Sequence, residues 1–233
     1  MIGFEGLIGA GKTELIKAMS KKFLSEGLKA KPYLEPVDHP YLEKFYQDME
    51  RWGLEMQFYL MSRRFRTHMD ALRVEWSEGI QTFHDRTIWG DKAFAHMLYR
   101  SNLISPLGYD SYLQHRRCML SFLLPPQIVV WLEVDPEICI ERIKKRERAC
   151  EVGITTEYLS NLRKSYDDVL EELEKKGSKI IVYDYNEFLP IDMIYADLKR
   201  ELDTHRLIPN FGQEYQQDPI DLSAMPGSGS LGS

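Results

Sequence analysis

The sequence predicts an α/β fold built on a parallel sheet, and three observations carry that expectation. Short β-rich stretches alternate with longer helical patterns over most of the chain, as in βαβ proteins. The first apolar stretch, IGFE, runs into a glycine-rich turn that opens an amphipathic helix. At 233 residues, 43% of them hydrophobic and 28% charged, the chain is long enough to bury a core without disulfide staples.

The elements follow in order. Ile2–Glu5 is the first strand. Lys12–Glu26 is the first helix, with Leu15, Ile16, Met19, Phe23 and Leu24 on one apolar stripe and Gly27 as its stop. Lys31–Glu35 is the second strand, and Trp52–Trp76 is a long helix rich in Met and aromatic residues. Ile80–Asp85 supplies the third strand, followed by helices over Phe94–Tyr99 and Tyr109–Leu124. Gln127–Val134 is the fourth strand, Glu137–Lys145 and Thr156–Lys176 are helices, and Lys179–Tyr183 completes a five-stranded sheet. No internal repeat recurs at a fixed period. From Pro209 the composition turns to Gly, Ser, Gln and Pro, so residues 1–208 are expected to form one domain and 209–233 a flexible tail. Its end, GSGSLGS, resembles an appended remnant.

A formal net charge of −6 argues against nucleic acid as the main partner, because such a surface repels phosphates on average. Cys118, Cys139 and Cys150 show no metal-like spacing and leave one cysteine over, which suits a reduced compartment. No run reaches the roughly 18 apolar residues of a membrane span, and no basic-then-apolar leader precedes the first strand. A cytoplasmic protein without membrane or nucleic-acid partners is the expectation.

The strongest chemical signal is Gly6-Leu-Ile-Gly-Ala-Gly11-Lys12-Thr13, a full match to the G-x-x-x-x-G-K-[ST] phosphate loop. Backbone N–H groups freed by Gly6, Gly9 and Gly11, with Ala10 among them, can turn inward around phosphate oxygens. The helix that starts near Lys12 adds its positive end. Lys12 would reach the β- and γ-phosphates, and the Thr13 hydroxyl would ligate Mg²⁺. The context is the required one, a strand before and an amphipathic helix after. The loop implies a nucleotide such as ATP but leaves the acceptor open.

Further motifs address the acceptor. Glu35 ends the second strand in YLEPVD, at the carboxyl edge where α/β sheets bind ligands. Gln57 and Arg64 lie seven residues apart on the long helix, two turns along one face. Asp85-Arg86-Thr87 ends the third strand, and RIKKRERACEVGITTEYL packs Arg142, Arg146 and Arg148 into a short span.

Together these residues resemble the deoxynucleoside kinase family, which includes deoxycytidine, deoxyguanosine and deoxyadenosine kinases. The resemblance runs from Met1 to about Tyr185. It rests on ordered motifs: the phosphate loop, Glu35-Pro-Val, Tyr46-x₄-Arg51-Trp52-x₄-Gln57, Asp85-Arg86-Thr87, and the Arg-rich segment before Tyr158-Leu159. It implies a P-loop nucleoside kinase fold with an Arg-rich lid, using Mg²⁺ and ATP to phosphorylate the 5′-hydroxyl of a deoxynucleoside.

The resemblance also implies roles. Glu35 would take the proton from the 5′-hydroxyl, and Arg86 would hold the 5′-oxygen and the moving phosphate. Asp85 would bind Mg²⁺ with Thr13. Arg142, Arg146 and Arg148 would close over the ATP phosphates, Arg142 against the adenine. Tyr46 and Glu151 match positions that hold the 3′-hydroxyl. Gln57 matches the amide that reads the base edge, and Arg64 with Asp91 matches the charged pair facing it in cytosine and purine enzymes. A homodimer on two long helices, here Trp52–Trp76 and part of Phe94–Leu124, is implied as well.

The pattern departs in places. Asp85 stands where animal members usually have Glu, and Asp-Arg-Thr resembles microbial deoxyadenosine and deoxyguanosine kinases, which tilts the expectation to a purine. Pro40 replaces a frequent Trp, and Glu147 a frequent Gly. A deoxycytidine-preferring or broad enzyme is the alternative. A thymidylate kinase fits less well because Glu35 would repel a 5′-monophosphate. A catalytically silent nucleotide-binding subunit fits less well because Lys12, Thr13, Glu35, Asp85 and Arg86 are all present.

Overall fold

The strand β1 (Ile2–Gly6) is buried along its whole length, as a strand covered on both faces of a parallel sheet must be. It is the centre of a five-stranded sheet in the order β2-β3-β1-β4-β5. The computed structural model describes residues 1–35, 40–146, 151 and 153–208. The remaining strands are β2 (Ala30–Tyr33), β3 (Gln81–Asp85), β4 (Ile128–Glu133) and β5 (Lys179–Asp184), every pairing parallel. The helices are α1 (Lys12–Ser25), α2 (Leu42–Gln47), α3 (Met49–Glu78), α4 (Asp91–Arg100), α5 (Pro106–Leu120), α6 (Pro136–Lys145), α7 (Thr156–Lys175) and α8 (Ile191–Thr204).

The strand order makes a topological switch at β1. The chain leaves β1 toward β3 and β2, then crosses back to β4 and β5. Loops on either side of the switch part at the carboxyl edge and leave a crevice there. The phosphate loop after β1 and the segment after β3 both open into it. Aromatic side chains lock the layers beneath: Phe23 meets Phe83 edge-on at 5.0 Å, and Trp131 of β4 packs on Tyr166 of α7 at 4.8 Å.

Capping explains where the element ends differ from the sequence-based bounds. The long helix α3 begins earlier than Trp52 because the Asp48 carboxylate accepts from Arg51 N at 3.0 Å, and it stops at Gly79 in the left-handed conformation. Helix α5 begins at Pro106 rather than Tyr109, with Ser105 as N-cap and proline at the first position, and ends at Leu120. Glu35 was placed at the end of the second strand, yet β2 stops at Tyr33. Its partner β3 ends at Asp85 and Arg86 adopts φ 66, so Glu35, which the register would set opposite Arg86, finds no ladder position. The short α2 and the amphipathic α8, which buries Ile194 and Leu198, were not anticipated.

Among the described residues, no helix is long and apolar enough to cross a membrane. The expected tail, 209–233, lies outside the described residues, as do residues 147–150 and 152 of the expected Arg-rich lid, Arg148 among them.

Candidate active site

The phosphate loop adopts the required turn. Gly9 and Gly11 sit at φ 87 and φ 99, and a Cβ on Gly9 would lie 2.6 Å from the Cys139 carbonyl oxygen. Only glycine suits such a position. Lys12 folds back over the loop and donates from Nζ to Leu7 O at 2.8 Å and Gly6 O at 3.1 Å. Burial first, and then the nearby Arg86 charge, lower its pKa to about 8.

Thr13, on the first turn of α1, donates its hydroxyl to Asp85 Oδ2. The other oxygen, Asp85 Oδ1, is buried with no hydrogen-bond partner among the described residues. These are two hard oxygen donors beside the phosphate cradle, one of them unspent. Among the described residues there is no cluster of three or more acidic, His or Cys side chains that could cage a metal. The donor set fits a Mg²⁺ ion that keeps its waters and phosphate oxygens as its other ligands.

A cavity of about 870 Å³ opens beside the loop. Its wall includes Gly9, Gly11, Lys12, Thr13, Glu35, Tyr46, Gln57, Arg64, Asp85, Arg86, Arg142, Arg146 and Glu151. Most of the sequence-nominated residues thus meet in one space. Gly6 and Ala10 sit in the loop behind the wall. Arg64 donates from Nη2 to Glu35 and from Nη1 to Asp91. Arg86 donates from Nε to the other Glu35 oxygen at 3.2 Å. Burial raises the Glu35 carboxyl, but Arg64, Arg86 and Lys12 outweigh it and hold Glu35 below the usual carboxylate range.

Asp91 was expected to face the base beside Arg64. Instead it is fully buried behind Arg64 and is not part of the cavity wall. It starts α4 and points into the layer between α3 and α4, so its reach to the cavity runs through the guanidinium. Burial pushes its carboxyl up, against the pull of Arg64. Gln57 presents its amide at the wall, and its buried Oε1 has no partner among the described residues. Arg146 forks onto Glu151 with bonds of 2.7 and 2.6 Å. Arg142 donates to Ala10 O, Tyr185 O and Asn186 O and lies 4.5 Å from the Phe188 ring centroid.

Several residues of this region were not singled out from sequence. Asn186, Glu187 and Phe188 after β5 form the cavity rim beside Arg142. Phe45, Met56 and Leu60 supply apolar wall. Of the three aromatics that the sequence offered either to the base or to the core, Phe58, Phe94 and Trp89, Phe94 lines the cavity and lies 4.7 Å from the Arg86 guanidinium. Phe58 and Trp89 instead pack away from the cavity, against Tyr112 and His68. Glu5 and Tyr166, both buried, bond to the Arg86 segment from behind. A legible signal existed for Glu5, a lone charge inside an otherwise apolar buried strand.

Comparison with known proteins matches this geometry. The sequence profile described as "Deoxynucleoside kinase" matches residues 2–206. A deoxyadenosine kinase of Dictyostelium discoideum is 34% identical over 219 residues, covering 91% of this chain and 84% of the relative. A deoxyguanosine kinase of the same organism is 35% identical over 202 residues, covering 86% of this chain and 69% of that protein. A deoxyadenosine kinase from M. mycoides, solved with dCMP and dCDP bound, superimposes with a TM-score of 0.71 at 28% identity, covering 87% of this chain and 98% of that one. With the phosphate loop, Glu35, Asp85 and the arginines in one crevice and a family profile over residues 2–206, the chain belongs to the deoxynucleoside kinase family and is an ATP-dependent phosphotransferase that acts on deoxynucleosides.

Proposed function

We propose that the chain phosphorylates the 5′-hydroxyl of deoxyadenosine or deoxyguanosine, with Mg²⁺ and ATP. The observation that carries the choice of base is the Arg64–Asp91 pair beside Gln57, whose Oε1 is an unspent buried acceptor. An acceptor there suits a base edge that carries an N–H donor, which each of the four bases can present, so the tilt away from thymine rests on the Arg64–Asp91 pair, which resembles the pair in cytosine and purine enzymes. The Dictyostelium relatives named for deoxyadenosine and deoxyguanosine support the purine reading. Deoxycytidine is the second reading. It shares an exocyclic amine with adenine, and the M. mycoides deoxyadenosine kinase was also solved with dCTP.

The residues divide the chemistry. Glu35 accepts the proton of the 5′-hydroxyl as the oxygen attacks the γ-phosphorus, and the bond to the β–γ bridging oxygen breaks to release ADP. A carboxylate held below its usual range suffices, because a loose transition state needs positioning more than basicity. Arg86 and Lys12 meet the charge that develops on the transferring group and the leaving oxygen. Thr13 and Asp85 would hold Mg²⁺, which neutralises phosphate charge when bound. Arg142, Arg146 and Arg148 cover the donor phosphates, and Tyr46 with Glu151 holds the 3′-hydroxyl. The active unit is a homodimer formed on α3 and α5.

A coupled ADP-release assay with deoxyadenosine against dTMP tests the acceptor. Turnover of deoxyadenosine is expected, and turnover of dTMP alone overturns the reading.

A further inference from the structure

Arg86 has a backbone that a non-glycine residue rarely adopts, φ 66, at the carboxyl end of β3. Its side chain is buried and spends its donors unevenly. Nε bonds Glu35 at 3.2 Å, while Nη1 bonds both Gly6 O at 2.9 Å and the Tyr166 hydroxyl at 2.6 Å. That uses three of the five guanidinium N–H groups. No hydrogen bond among the described residues engages Nη2, the remaining pair.

Tyr166 does not act alone. Its hydroxyl accepts from Arg86 and donates to Glu5 Oε2 at 3.0 Å. Glu5 Oε1 then accepts from Thr87 N and Thr87 Oγ1, each at 2.7 Å. Thr87 is the residue after Arg86, so the bonds close a ring around the strained position. Gly90 makes room for it, since a Cβ there would lie 2.3 Å from Glu5 Oε2. Tyr166 is fully buried, wedged between Trp131 at 4.8 Å and Phe94 at 6.2 Å, so its hydroxyl has one orientation.

We propose that Tyr166, braced by Glu5, is a positioning residue for phosphoryl transfer: it fixes the guanidinium of Arg86 so that the Nη2 edge faces the transferring phosphate. Without the hydroxyl, Nη1 keeps only Gly6 O and the fork is held less tightly, while the charge stays in place. The assignment rests on the reading of Arg86 as the phosphate-facing cation.

The test is a double-mutant cycle of Tyr166→Phe with Arg86→Lys, reading kcat and the deoxynucleoside KM. A lysine has no edge to orient, so the hydroxyl should matter only to the native arginine. Tyr166→Phe is expected to lower kcat about tenfold or more, with KM within about twofold, and to cost little further in the Arg86→Lys background. A smaller loss, or equal losses in both backgrounds, overturns the assignment. If Tyr166→Phe does not fold, Glu5→Gln replaces it in the same cycle, with a kcat loss of about threefold or more that vanishes beside Arg86→Lys. No loss from Glu5→Gln, or a loss that persists there, overturns the assignment as well. A native kcat in Arg86→Lys alone instead rejects Arg86 as the phosphate-facing cation, a separate failure.

Discussion

Arg64 donates from one end of its guanidinium to Glu35 while the other end is anchored on the buried Asp91. One side chain thus ties the buried Asp91 behind the cavity to Glu35 on its wall. On the proposed roles, a base that engages Arg64 would change the electrostatic surroundings of Glu35 and so couple base choice to rate.

Removing the pair together, Arg64→Met with Asp91→Ala, should lower the purine-to-thymidine ratio of kcat/KM by about tenfold or more. An unchanged ratio rules the pair out as selector. Asp91→Ala alone leaves a buried guanidinium short of a partner and should cost about 3–5 kcal/mol of stability. The double variant should recover part of that loss, which thermal melts of the three proteins would register.

Glu35→Gln should leave nucleoside affinity nearly intact and cut kcat by about 10²-fold or more. Because the arginines hold its carboxyl below the usual range, the native enzyme should show no acid limb from Glu35 at or above the ordinary glutamate value of about 4.3. A pH–rate profile checks the second statement, and a native kcat in Glu35→Gln would remove Glu35 as the base.

Asp85→Asn keeps the shape beside Thr13 but removes the charge. It should raise the Mg²⁺ concentration for half-maximal rate by about tenfold or more, with ATP saturating. Titration of Mg²⁺ in native and variant enzymes measures the shift, and superimposed curves would argue against Asp85 as a metal partner.

The His68 and His84 rings lie 4.6 Å apart at a tilt of 52°, both buried. Burial lowers both pKa values, His68 to about 3. The fold keeps them neutral while the unfolded chain protonates near pH 6.5, so stability is full above that value and falls as pH drops toward 3. Each should contribute a slope of up to about 1.4 kcal/mol per pH unit in that window. His84→Phe should flatten the melting-temperature loss between pH 7 and pH 5, and an unflattened profile would refute the neutral pair.

Much of this molecule was legible in its sequence because strand runs, helix stripes and the glycine loop are local patterns. The five strands and the phosphate loop needed no long-range information. Glu35, Gln57, Arg64 and Arg86 were legible as a set through ordered motifs. What the sequence did not convey was depth. Whether Asp91 faces a ligand or stands behind Arg64 depends on how α4 packs on α3. Tyr166 is 80 residues from Arg86 and looks like any aromatic on the inner stripe of a helix. The rim at Asn186 to Phe188 follows an edge strand, and no local pattern separates it from an ordinary turn.

The central claim is the choice of acceptor, and steady-state kcat/KM for the four deoxynucleosides with Mg·ATP tests it most directly. The account predicts deoxyadenosine or deoxyguanosine highest and thymidine lowest. Thymidine as the best substrate, or no turnover of any of the four by a protein that still binds ATP, would contradict it.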